Sequence, residues 1–266
     1  MLRDITLGQY YQTNSLLHRL DPRVKIMGTL VYIISLFLFR NLFVYLVVLG
    51  CLVSMIKLSK VPFSFMVRGL QPVMMILFLT VICNLLFTKG TVVYSVWLIT
   101  ITREGIELAF YMTVRFIMLI IGSTLMTLTT TPTQLTDGLE SVLSPLNKIK
   151  VPVHEVAMMM SIALRFIPIL MEEADKIMKA QLSRGADFET GNIFHRVKGM
   201  LPILVPLFIS AFKRADDLAM AMDARCYRGG EGRSKMRPLI YKNVDRRAYM
   251  VMIIYLIIIV AVGVFV

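Results

Sequence analysis

The sequence predicts an all-α polytopic membrane protein, with about five transmembrane helices and long cytoplasmic helices besides them. Three observations lead there. Of the 266 residues, 57% are hydrophobic and only 17% charged, and the mean hydropathy is +0.71. A water-soluble fold could not hide that much apolar surface. The apolar residues also gather in long runs, as a bilayer demands. Finally, the net charge of +12 lies mostly between or beside those runs. That placement suits membrane topology and anionic headgroups better than nucleic acid.

Residues 1–23 form a polar lead. No small-residue cleavage site follows, so no removable signal peptide is expected. Asp21-Pro22-Arg23 reads as a helix start, with Asp21 as cap and Pro22 at the first helical position. His18 and Arg19 are expected to face solvent or headgroups. The runs 25–39 and 42–56 make a hairpin with a tight turn near Arg40-Asn41, and Lys57 and Lys60 return to an aqueous side. A third run covers 63–87, with Arg68 and Gln71-Pro72 near its start. Residues 89–103, with Tyr94 and Trp97, read as interfacial or re-entrant. A fourth span covers 105–128 and carries Arg115 well inside it, a costly position unless the charge is paired or solvated. Arg19, Arg23 and Lys25 share one side with Lys57, Lys60 and Arg68. The positive-inside rule makes that side cytoplasmic.

After the fourth span the chain returns to the basic side. Thr131-Pro132 opens an amphipathic helix to about Lys148, with Pro145 expected to kink or break it. Residues 155–182 form a long helix too charged in its second half to cross a bilayer. Glu172 with Lys176 and Asp175 with Lys179 are four apart, as on an exposed helix. Residues 186–198 read as a polar connector, and 200–212 as an apolar run broken by Pro202 and Pro206. Ala211, Ala215, Ala219 and Ala221 make a small-residue face that another helix can approach. A basic loop follows, and 249–266 is a last span. This gives a lead and four-span region at 1–128, a cytoplasmic helical region at 129–247 and a terminal transmembrane helix at 248–266.

Two helix ends repeat one pattern. Ser183-Arg184-Gly185 closes the first long helix and Ala224-Arg225-Cys226 the second. An arginine between small residues offers a charged fork that can enter a shallow groove and meet a carboxylate or helix-end carbonyls. The same arginines also suit ordinary helix ends, where the dipole and phospholipid headgroups favour cations. Cys51, Cys83 and Cys226 have no metal or disulfide spacing. No phosphate loop is present, nor a nucleophile with a base at recognisable spacing.

Almost the whole chain resembles the transmembrane coupling (T) component of energy-coupling factor transporters, the EcfT/CbiQ-like family. The resemblance rests on residues 15–25, Ser-Leu-Leu-His-Arg-Leu-Asp-Pro-Arg-Val-Lys; on residues 163–168, Ala-Leu-Arg-Phe-Ile-Pro; and on the two arginine ends. It implies a non-catalytic subunit of an ABC-type importer for vitamins or metal ions in a prokaryotic cell membrane. Residues 129–247 would hold its coupling helices. Ser183, Arg184, Gly185, Ala224, Arg225 and Cys226 would dock two cytoplasmic ATPases, with Cys226 standing where glycine is usual. A separate membrane-embedded S component would bind the substrate. ATP and magnesium would belong to the ATPases, with no cofactor on this chain; lipids would be partners and nucleic acid would not. Arg165, Glu172 and Glu173 are candidates for ordering the crossing of the long helices. The rival readings are a self-contained channel or secondary carrier built around Arg115, Arg165 or Asn84, and a membrane enzyme using Glu172, Glu173, Asp175, Asp216 and Asp217.

Overall fold

The computed structural model describes residues 10–39, 41–96, 99–186, 193–230, 236 and 238–265. The fold is helical, apart from one short hairpin. The chain divides into two compact units, Gly8–Ser141 with Pro238–Val266, and Val142–Arg237.

In the first unit, α1 (Pro22–Leu38) begins where Asp21 accepts a hydrogen bond from the Arg23 N–H and proline fills the first turn. α2 (Leu42–Ser59) is capped by Asn41 and ends on Lys60 in a left-handed conformation. The third apolar run is not one regular helix. It forms α3 (Phe63–Arg68), a 3₁₀ turn at Gln71–Val73 and α4 (Met74–Phe87). Pro72 accounts for the break, since it has no N–H to give a continuing α-ladder. Val92–Val96 (β1) and Ile99–Thr102 (β2) pair as an antiparallel hairpin. Their β-branched valines, isoleucines and threonines suit a strand and resist a helix. α5 (Arg103–Thr129) follows, started by the Thr102 side chain, which accepts from the Gly105 N–H. α9 (Asn243–Phe265) begins six residues before the expected span.

Among the described residues, five helical segments are long and apolar enough to cross a membrane: Leu42–Ser59, Phe63–Phe87, Arg103–Thr129, Val153–Ser183 and Asn243–Phe265. The first run of the sequence is not among them. At 17 residues, α1 stands at the lower end of the length that can span, roughly 17–25 residues, as expected of a run that is short for a span.

α5 lies at the centre of the buried cluster, where Met118, Ile121, Leu125 and Leu128 join Tyr32 and Leu36 of α1, Val44, Val48 and Leu52 of α2, and Tyr255 and Ile259 of α9. Gly122 lets the Tyr32 ring lie directly on α5; a β-carbon there would collide with the ring. The Tyr32 hydroxyl donates to the Met118 carbonyl at 2.9 Å, and the Ser35 and Tyr255 hydroxyls are 2.7 Å apart. The last turn of α5 leaves carbonyls without helical partners. The polar lead and the first turn of α1 supply them: the Tyr11 N–H donates to Leu128 O at 2.9 Å, and Lys25 Nζ to Thr129 O at 2.7 Å. His18, expected at the surface, is half-buried instead. Its Nε2–H donates to Tyr11 O at 2.9 Å, so Nδ1 accepts from Ser15 Oγ at 2.7 Å. Burial holds its pKa below the ordinary imidazole value. Arg19 is exposed.

α6 (Pro132–Leu143) starts at Pro132 as expected, and Pro145 falls in the 3₁₀ turn Ser144–Ile149 that ends it. In the second unit, α7 (Val153–Ser183) and α8 (Ile193–Ala224) are both longer than the sequence suggests. α8 takes in residues assigned to the polar connector and runs through Pro202 and Pro206, as α7 runs through Pro168. Each proline removes one N–H bond from a ladder of some thirty residues. Cooperative propagation on both sides keeps the helix intact.

Candidate functional site

The arginine ends are two copies of one backbone device. At the end of α7, the Gly185 N–H donates to Leu182 O at 3.0 Å and the Ala186 N–H to Gln181 O at 3.0 Å. At the end of α8, the Cys226 N–H donates to Asp223 O at 2.9 Å and the Tyr227 N–H to Met222 O at 3.0 Å. These nested bonds are the Schellman closure of a helix. It places the cap residue at Arg184 and at Arg225, and the next residue in the left-handed region: Gly185 at φ 85° and Cys226 at φ 56°. Both arginines are exposed, as are Ser183, Gly185, Ala224 and Cys226. Each guanidinium therefore leaves its helix from the same position of the same turn, with small side chains on either side.

α7 and α8 are antiparallel. Glu173 Oε2 accepts from Arg214 Nη2 at 2.9 Å, while a β-carbon on Gly230, beyond α8, would meet the His154 ring near the start of α7. Between the helices runs a cavity of about 270 Å³ with Ile162, Phe166 and Leu170 on one wall and Ala211, Ala215 and Ala219 on the other. Ala211, Ala215 and Ala219 of the small-residue face of α8 thus line the groove shared with α7. The ion pair also sets the spacing of the tips. Arg184 follows Glu173 by eleven residues and Arg225 follows Arg214 by eleven. Two such arms in opposite directions separate the tips by about 30 Å along the pair. Of the three residues proposed to order this crossing, Glu173 makes the ion pair, whereas Arg165 and Glu172 are exposed.

α8 keeps an uncovered apolar stripe. Leu201, Leu204, Val205, Phe208, Ile209 and Phe212 recur at helical spacing and are all exposed. Among the described residues, no group of three or more histidine, cysteine or acidic side chains is placed to hold a metal ion.

Sequence reasoning missed Asp245, which lies in the first unit and is 1% exposed. Its Oδ1 accepts from the Asp21 N–H at 2.9 Å and its Oδ2 from the Lys242 N–H at 2.7 Å. Arg23 Nη2 donates to Leu239 O at 2.9 Å, and its guanidinium lies 4.8 Å from the Tyr241 ring centre. Asp21-Pro22-Arg23 therefore does two things: it starts α1 and fastens that start to the chain entering α9. A signal was present, since an acidic residue three positions into a helix commonly reaches back to the N-cap N–H.

A family model described as cobalt transport protein, CbiQ, matches residues 13–236. Curated relatives extend the likeness over nearly the full length. An energy-coupling factor transporter transmembrane protein EcfT of Acidaminococcus fermentans is 53% identical over 253 residues, 95% of this chain and 94% of that protein. The EcfT of Bacillus subtilis is 45% identical over 255 residues, 96% of each chain. The EcfT of Listeria innocua is 47% identical over 246 residues, 92% of this chain and 93% of the relative.

Proposed function

The chain belongs to the CbiQ family as a transmembrane component of energy-coupling factor transporters, and we propose that it is the subunit that couples two cytoplasmic ATPases to a substrate-binding membrane partner. In this reading Arg184 and Arg225 enter one groove on each ATPase, where the planar fork meets carboxylate or carbonyl oxygens. The observation that carries it is the matched closure of α7 and α8, with both arginines at the cap and each eleven residues from the Glu173–Arg214 pair. A two-fold pair of like subunits presents two like grooves, and equal arms on an antiparallel helix pair suit such a partner. A single groove does not call for two tips about 30 Å apart.

Force on the tips is then carried by rigid helices to whatever packs on them. The uncovered α8 stripe supports docking of the S component, the subunit that reads the vitamin or metal ion. ATP and magnesium act on the ATPases, and this chain supplies no catalytic group. The tips and the basic side of the protein face the cytoplasm.

The test is purification through a tag on this chain, together with uptake of labelled vitamin by vesicles holding the complete complex. Arg184→Ala and Arg225→Ala should each lower ATPase recovery about tenfold, the scale of one lost charge-assisted hydrogen bond. The double variant should lose uptake while keeping the membrane partner. Normal ATPase recovery with normal uptake in the double variant overturns the proposal.

A further inference from the structure

Arg23, Lys25 and Arg115 of the first unit are engaged within it. Arg23 and Lys25 donate to backbone carbonyls, and Arg115 Nε donates to the Tyr45 hydroxyl at 2.8 Å. Lys57, Lys60 and Arg68 differ. All three are exposed, and among the described residues none of them has an ion pair. No acidic residue occurs between Pro22 and Arg103, so nothing along that stretch offsets their charge.

The length of α2 sets their level in the membrane. At 18 residues it stands near the lower end of the roughly 17–25 that can span, so its last turn has to reach one boundary of the hydrocarbon. Lys57 stands in that turn, and Lys60 is the residue that ends the helix. The next apolar segment opens at Phe63, so the chain turns back at the boundary without leaving it. Leu58, Phe63, Phe65 and Val67 are exposed beside the charges. Apolar and basic side chains interleaved at the end of a span suit the zone where acyl chains meet headgroups.

Arg68 closes α3, but its side chain turns back along the helix. Its guanidinium carbon lies 5.1 Å from the ring centre of Phe65, one turn nearer to Lys60. The opposite side of the junction is fixed in place. Met66 is fully buried, the Phe65 ring is 5.1 Å from that of Tyr11, and a β-carbon on Gly69 would collide with Thr124 of α5. The abundant anion at this level of a bilayer is a lipid phosphate. A guanidinium fork fits two of its oxygens, and ammonium groups add point charges.

We infer that Lys57, Lys60 and Arg68 hold the phosphodiester of an anionic phospholipid at the α2–α3 junction, with its acyl chains against the exposed apolar residues there. The site is independent of the arginine tips and survives if tip docking fails.

Native mass spectrometry of the full-length protein in a neutral detergent, titrated with phosphatidylglycerol or phosphatidylcholine, tests it. The wild type should retain one phosphatidylglycerol in preference to phosphatidylcholine. Lys57→Gln, Lys60→Gln and Arg68→Gln should each weaken it about fivefold, and the triple variant about a hundredfold. Changing Lys148, Lys150 and Lys179 to glutamine, an equal loss of charge in the second unit, should leave it unchanged. Inorganic phosphate should not displace it. In the wild type alone, phosphatidylglycerol with a photoreactive headgroup should crosslink within residues 57–68, which keeps the test sound if a variant misfolds. Equal retention by a monodisperse Lys57, Lys60 and Arg68 triple variant, or crosslinks elsewhere only, overturns the inference. An equal loss from the control variant also overturns it, because the attraction is then one of net charge. So does displacement by inorganic phosphate, which assigns a free-phosphate site.

Discussion

Cys226 stands where a helix closure favours glycine. Its φ of 56° is in the left-handed region, where a β-carbon crowds the following carbonyl at a cost of about 1–2 kcal/mol. Cysteine nevertheless keeps the turn: the Tyr227 N–H reaches Met222 O at 3.0 Å. The two bonds of the closure hold the conformation despite the side chain. Cys226→Gly should relieve part of this strain, offset by the greater freedom glycine gains in the unfolded chain. The expected net gain is about 0.5–1 kcal/mol. Hydrogen exchange at the amides of Arg225, Cys226 and Tyr227 checks it and should slow about two- to fivefold. Cys226→Val should speed the same amides, because a β-branched side chain fits the left-handed region worse.

At the scale of elements, the α7–α8 pair rests on apolar packing with the Glu173–Arg214 ion pair across it. Glu173 and Arg214 are partly exposed, with side chains 25% and 38% accessible, so their value lies more in register than in strength. Reversing either charge should lower the thermal midpoint of the purified protein by a few degrees. The swap Glu173→Arg with Arg214→Glu should recover most of the loss, as measured by differential scanning fluorimetry. Recovery marks direct pairing, and no recovery means the two sites act independently. The pairing was partly legible in the sequence. The alanine face and the candidate Glu173 were visible there, but their common partner was not, because helical periodicity shows which faces are apolar and not which faces meet. The helix ends were clearer: Asp21-Pro22 and Thr131-Pro132 act through local backbone chemistry. Pro202 and Pro206 misled because the cooperativity of a long ladder outweighs a local breaker.

At the scale of the whole molecule, the antiparallel pair sharpens the topology. If α7 crossed the bilayer, its two ends would face opposite compartments. For both tips to face the ATPases, α7 and α8 must lie along the cytoplasmic side, although α7 is apolar enough to span. Single cysteines at Ser183 and at Ala224, in a protein with Cys51, Cys83 and Cys226 replaced by serine, check this with a membrane-impermeant maleimide. Both should label in inside-out vesicles and stay unlabelled in right-side-out ones. Labelling of the Ser183 position from outside would make α7 a span and remove Arg184 from ATPase docking. The sequence by itself determined the helical class, the membrane setting, the family and both arginine ends, because composition, hydropathy runs and capping residues act locally along the chain. Only the tertiary structure decided that Arg115 meets Tyr45, that Asp245 clasps Asp21, and that the tips are matched in backbone and spacing. Those facts join residues up to 224 positions apart, and such contacts follow from how helices pack, which no local pattern encodes.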